Sequence, residues 1–323
     1  MYTIQRYTTE YYEQWNDFVA KSKNGTFLFH RDFMEYHANR FIDYSLIIFE
    51  GENPVALLPA HKVGGNLYSH WGLTYGGLIL SDKTKLSGVI QLFKQILQFL
   101  NQSGIDKLFI KAIPHIYHKI PAEELEYALF LADAKVIRRD SLFVIEKASA
   151  LAFTKTRREA IRRGEKNNLQ IIEESGFELF WNEILIPNLS NRHDARPVHS
   201  IEEIVKLQKK FPDNIRHFNV YQDSKIVAGT TVFITDTVAH PQYISGNKDK
   251  NQLGSLDYLY AHLITNVFKD KKYFDFGISN EEQGRKLNDG LAFWKESFGA
   301  RTIVHDFYEV QTANYSLLND VLI

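Results

Sequence analysis

The chain contains no cysteine, which excludes disulfides, thiolate nucleophiles and cysteine-ligated zinc. It also has almost no net charge: 38 basic and 39 acidic residues give −1. No global field therefore draws in nucleic acid or anionic lipid, and any phosphate site has to be a local patch. No apolar run reaches the roughly 18 residues that a membrane span needs. The opening MYTIQRYTTEYYEQW lacks the basic-then-apolar pattern of a secretory leader. These absences give the expectation of a cytoplasmic protein with no stable membrane insertion. A nucleophile elbow, a P-loop and a dinucleotide fingerprint are missing as well.

What is present is the composition of a globular protein, 44% hydrophobic and 24% charged, over 323 residues. That length allows two domains, each with a sizeable core. The patterning predicts helices over 10–20 and 86–101 and strands over 44–49, 55–62, 108–112 and 142–145 in the first half. The second half reads as a basic helix over 155–168, a strand over 169–173 and helices over 177–190 and 201–211. Strands over 216–222, 225–234 and 238–245 follow, then a helix over 256–269 and strands over 273–276 and 302–307. Each half contains a hairpin, then a helix, then a strand, which points to a duplication at the level of fold. The boundary is expected near 146–155, giving domains 1–150 and 151–323.

Four segments carry candidate chemistry. Polar residues crowd the connection between the strands at 273–276 and 302–307, among them Asn280, Glu281, Glu282, Arg285 and Asn288, as in a ligand-facing loop. In the basic helix, Lys155, Arg157, Arg158, Arg162, Arg163 and Lys166 concentrate six positive charges. Arg suits phosphate or carboxylate; the same pattern also fits a solvated face paired with Glu159 and Glu165. The stretch from Gly246 to Ser255 places glycines at a helix N-terminus, where free amides favour a pyrophosphate, with Ser255 as N-cap. The segment Asn191–Pro197 reads as an irregular loop. His193, Asp194, His199 and His240 have polar neighbours and fit a general base or ordinary hydrogen-bonded histidines; loop spacing fixes no metal geometry, so no metal is expected.

Taken in order, these segments resemble the Fem family of peptidyl and acyl transferases and its FemAB-like relatives, built from two GNAT-like domains. The resemblance rests on TRREAIRRGEKNNL from Thr154, the Tyr75-Gly76-Gly77 element, the strand pair AGTTVFITDTVAHPQYISGN and the tail from Asp275 to Arg301. It covers most of the chain and is densest from Thr154 to Arg301. It implies an α/β (α+β) fold of two tandem GNAT-like domains, each a mixed, mostly antiparallel sheet flanked by helices. It also implies transfer of an acyl or aminoacyl group from a thioester or ester to an amine or hydroxyl. Lys295 matches the lysine before the family's phenylalanine-glycine turn, with a role on the oxyanion or donor phosphate. His240 or His199, or a water reached through Asp275, would serve as base. Asn288, Arg285, Tyr243 and His199 would meet substrate, and Arg157, Arg158 and Arg162 the donor or phosphate. A paired surface lysine, beside Glu281 or Glu296, is the plainer reading of Lys295.

GNAT acetyltransferases carry a Q/R-x-x-G-x-G/A loop at the position of Asn251-Gln252-Leu253-Gly254-Ser255-Leu256, so Asn251, Gly254 and Ser255 stand as donor contacts. This chain keeps the first glycine but has Leu256 at the second and Asn251 at the basic position. It also lacks the long coiled-coil hairpin that some Fem ligases insert in the second domain. The expected donor is acyl-CoA or acetyl-CoA, ahead of aminoacyl-tRNA. The expected acceptor is a small molecule or a cell-envelope precursor. A non-catalytic GNAT-fold module for a glycan, peptide or protein is the rival reading, and a tRNA-binding protein the third.

Overall fold

The computed structural model of the chain describes residues 2–193 and 195–323, those at 191–193 by backbone only. The chain divides into two compact units. One holds the residues up to Asp140 together with Val304–Ile323; the other is Ser141–Ile303. A single linear cut near residue 150 does not reproduce this division, because the chain's last twenty residues pack with its beginning.

In the first unit, in chain order, lie β1 (Tyr2–Arg6), α1 (Tyr12–Lys21), α2 (Arg31–Met34), β2 (Ile42–Asp43), β3 (Leu46–Glu50), β4 (Asn53–Leu58), β5 (His61–Val63), β6 (Asn66–Tyr68), β7 (Ile79–Leu80), α3 (Leu86–Gln102), β8 (Lys107–Lys111) and α4 (Glu124–Leu131). Strands β1-β3-β4-β7 form an antiparallel sheet. A second set runs β2-β5-β6-β8, with β6 and β8 parallel. The apolar stripe of α3, including Leu92, Phe93 and Ile96, enters one core with Leu46, Ile48 and Leu108.

Next in the chain come β9 (Lys135–Glu146), which enters the second unit at Ser141, α5 (Lys155–Lys166), β10 (Gln170–Glu174), α6 (Glu178–Phe180), α7 (Ile186–His193) and α8 (Ile201–Lys210). Strands β11 (Ile215–Gln222), β12 (Lys225–Ile234) and β13 (Val238–Gly246) follow, then α9 (Lys250–Leu253), α10 (Ser255–His262), β14 (Tyr273–Ile278), the short pair β15 (Asn280–Glu281) and β16 (Lys286–Leu287), and α11 (Asp289–Glu296). The sheet order is β10-β11-β12-β13-β14-β9, antiparallel throughout except for the β13–β14 pair. The last strand, β17 (Arg301–Gln311), pairs from Phe307 onward with β8. Buried Phe218, Val232, Leu259, Phe274, Phe276 and Phe298 centre the second core.

Three sequence expectations change. Asn191–His193 complete α7 rather than starting a loop. The supposed glycine loop contains the helical turn α9. The polar crossing from Asn280 to Trp294 folds as a hairpin and then the helix α11, whose N-cap is Asn288: its Oδ1 accepts from Leu291 N at 3.0 Å.

Candidate functional site

Strands β13 and β14 are parallel neighbours for only two residue pairs, Val238↔Tyr273 and Ala239↔Phe274. Beyond them the ladder stops, although β13 continues to Gly246 and β14 to Ile278. At this point of separation His240 Nδ1 lies 3.1 Å from Asp275 Oδ2 and 3.1 Å from the Asp275 carbonyl oxygen. Asp275 is buried, and its other carboxylate oxygen accepts from Gly277 N at 2.7 Å. A register shift between Asp275 and Ile278 bulges β14 at Gly277, whose φ of +73° favours glycine. A Cβ there would stand 3.2 Å from His240 Cε1, so the glycine also makes room for the imidazole.

The bulge turns two carbonyls toward α11. Lys295 Nζ donates to Gly277 O at 2.9 Å and to Ile278 O at 2.5 Å, and it lies 5.4 Å from the centre of the Phe143 ring. Lys295 is 3% exposed, so it is not the surface lysine of the plainer reading. Burial draws its pKa down to about 8 against the opposing pull of Asp275. The structure thus brings together three sequence candidates, Lys295, Asp275 and His240, from three separate elements.

The other candidates lie elsewhere. Tyr243 and His199 are buried together: the tyrosine oxygen accepts from His199 N at 3.1 Å and is 2.5 Å from His199 Nδ1, tying the segment before α8 to β13. Asn288 is occupied in capping α11, and its Nδ2 donates to Glu281 Oε1 at 3.0 Å. Arg285 is exposed in the β15–β16 turn. Arg158 and Arg162 are exposed on α5, whereas Arg157 is buried and pairs with Asp257, which corrects its expected role as a donor contact.

The glycine segment also departs from a pyrophosphate cradle. Asp249 N, Lys250 N, Leu253 N and Gly254 N all donate within the segment, and Asn247 N donates to Val227 O. Gly254, at φ +69°, is pressed against α5: a Cβ would come 2.3 Å from Ala160 O. Asn251 is exposed on α9, while Ser255 is fully buried and its hydroxyl has no hydrogen-bond partner. The segment therefore does not fit coenzyme A in the manner that the loop pattern implies. Asp194 and the side chain of His193, weighed in the sequence as polar neighbours of a possible base, lie outside what the structure describes. Among the described residues, no group of three or more His, Asp or Glu is set to hold a metal ion, and no helix is long and apolar enough to cross a membrane.

Sequence reading missed two sets of residues. Asp257, Trp294 and Ser297 form the buried surroundings of Arg157. Gln242 Oε1 and Ser279 Oγ are buried without hydrogen-bond partners, on β13 and just past β14. A single glutamine in a strand, or a serine just past one, carries no pattern that would have marked it.

No family model and no curated protein matches the chain by sequence. Solved structures do match by shape. The structure of FemX superposes with a TM-score of 0.68 at 10% identity, covering 98% of this chain and 99% of that one. L-PGS from Bacillus licheniformis gives 0.60 at 13% identity, covering 95% of each chain. A tandem GNAT protein from the clavulanic acid biosynthesis pathway gives 0.51 at 10%, covering 97% of this chain and 99% of that one. Identities this low speak to architecture alone, and on that ground the chain has the tandem GNAT fold, of the kind seen in FemX.

Proposed function

We propose that the protein is an acyltransferase that moves an acyl or aminoacyl group from a thioester or ester to an amine or hydroxyl. One observation carries this reading: a buried ammonium with a donor to spare, beside a His–Asp pair, where two parallel strands separate. A lysine ammonium has three donors. Two of those of Lys295 meet the Gly277 and Ile278 carbonyls, which fixes the direction of the third. Aimed at a developing oxyanion in a dry site, such a donor stabilises the tetrahedral intermediate. His240, oriented by Asp275, takes the proton as the nucleophile attacks the carbonyl carbon. The new C–N or C–O bond forms, the C–S or C–O bond to the donor breaks, and the proton passes to the leaving thiolate or alkoxide.

The acceptor class we favour is a small amine or a cell-envelope precursor. The donor is acyl-CoA or an aminoacyl ester; exposed Arg158 and Arg162 are the cations offered to its phosphates. The occupied amides around Gly254 favour one rival, a binding module that has kept the fold without the reaction.

The deciding experiment offers acyl-CoA or aminoacyl-tRNA with amine and UDP-linked muropeptide acceptors to wild type and Lys295→Ala. Loss of 10²-fold or more in turnover is expected, in a variant that still melts cooperatively. Wild-type turnover by Lys295→Ala would remove the assignment. Stabilisation by acceptors alone, with no turnover by wild type, would favour the binding module.

A further inference from the structure

Arg157 faces inward on α5, while Lys155, Arg158, Arg162, Arg163 and Lys166 of the same helix are exposed. Its Nε donates to Ser297 Oγ at 2.8 Å and its Nη1 to Asp257 Oδ1. The same Asp257 oxygen accepts from Trp294 Nε1 at 2.9 Å. Ser297 Oγ donates to Trp294 O at 2.6 Å, and Ser297 O accepts from Thr154 N at 3.0 Å, at the start of α5. The guanidinium lies 4.8 Å from the centre of the Phe298 ring and 5.6 Å from that of Trp294. Asp257 stands in the first turn of α10, so one carboxylate and one guanidinium join α5, α10 and the end of α11.

Lys295 lies between the two residues that this network grips, Trp294 of α11 and Ser297 at its C-terminal cap. Rotating a helix by about 20° sweeps the tip of a lysine by roughly 3 Å, enough to break hydrogen bonds of ordinary length. A buried ion pair is a poor source of stability, because desolvation offsets most of its attraction; what it supplies is a defined geometry.

We infer that Arg157 is a positioning residue: by bridging Asp257 and Ser297 it fixes the rotation of α11 and holds Lys295 Nζ against the Gly277 and Ile278 carbonyls. The catalytic importance of that placement rests on the acyl-transfer reading, but the placement itself is measurable without turnover.

The test follows the Lys295 ammonium by NMR in lysine-labelled protein, with the signal assigned by its loss in Lys295→Arg. Wild type should titrate near 8. Arg157→Ala and Asp257→Asn should move the midpoint up by a unit or more as water reaches the loosened ammonium, and Arg157→Lys should restore part of the shift. Val220→Ala, a cavity in β11, should lower the melting temperature yet leave the Lys295 midpoint in place. If Arg157→Ala does not fold, Asp257→Asn and Arg157→Lys carry the measurement. A wild-type midpoint in every folded variant, or an equal shift in Val220→Ala, would overturn the inference. Normal turnover by Lys295→Ala alongside a shifted midpoint in Arg157→Ala would sink the acyl-transfer role and leave the positioning role standing.

Discussion

At Lys295 the chemistry and the protonation state are coupled. The ammonium is the form that stabilises an oxyanion, and burial brings its pKa down to about 8. Transfer is therefore expected to fall as pH rises through 8, and Lys295→Arg should move that falling limb out of range; a pH–rate profile of both proteins checks this. Stability runs the other way. Between about 8 and the ordinary lysine value of 10.5 the unfolded chain binds the proton more tightly, so stability contributed at this site rises with pH across that window. Gly277 is the second sensitive position. Gly277→Ala should cost about 1–2 kcal/mol, from its positive φ and its contact with His240. Urea unfolding measures that loss, and displacement of the His240 ring signals should accompany it. Lys295, Asp275 and His240 came into view through the resemblance to the Fem family rather than from any pattern of their own; Lys295 was marked by its place before a phenylalanine-glycine turn. Arg157 was legible only as a charge: spacing along a helix shows that it neighbours Arg158 but not which of the two faces the core.

The packing of α5 on α10 explains why the glycines near 254 look like a ligand loop in the sequence and serve another purpose in the fold. A Cβ at Gly164 would lie 2.5 Å from Tyr258 Cβ, and one at Gly254 would lie 2.3 Å from Ala160 O, so both glycines permit close approach of the helices. Gly164→Ala is expected to lose about 1–3 kcal/mol by overpacking, despite alanine's higher helix propensity; thermal unfolding decides the sign. The long strand β12 was readable because its apolar, β-branched run is bounded by a clear turn at Asp223-Ser224. The eight-residue α11 was not, since it opens on Asp289-Gly290, a turn-like pair, and its cap, Asn288, resembles a binding residue. The same limit applies to α9, four residues long, where closure by tertiary contact outweighs local pattern.

Across the whole molecule, burial of imidazole sets the acid limit. His37, His61 and His118 are drawn down to about 4 and His70 to about 3 in the first unit, and His217 to about 4 in the second, each mainly by desolvation. Ring nitrogens of His37, His61, His70 and His118 have no hydrogen-bond partner. Folded values below the ordinary 6.5 mean that this stability is fully present above 6.5 and is lost as pH falls toward 4. The loss is roughly 1.4 kcal/mol per pH unit for each histidine. Melting temperatures between pH 7 and 4 should fall steeply, and His70→Asn, which tolerates the φ of +53° found there, should flatten the curve. Finally, the return of Val304–Ile323 to the first unit bears on how the protein is made. A ribosome delivers every residue of the second unit in one uninterrupted run, yet it withholds the strand partner of β8 and the buried Val310 and Leu318 until that second unit has been made. The first unit is thus completed only after the second, and until then its core lacks part of its own filling.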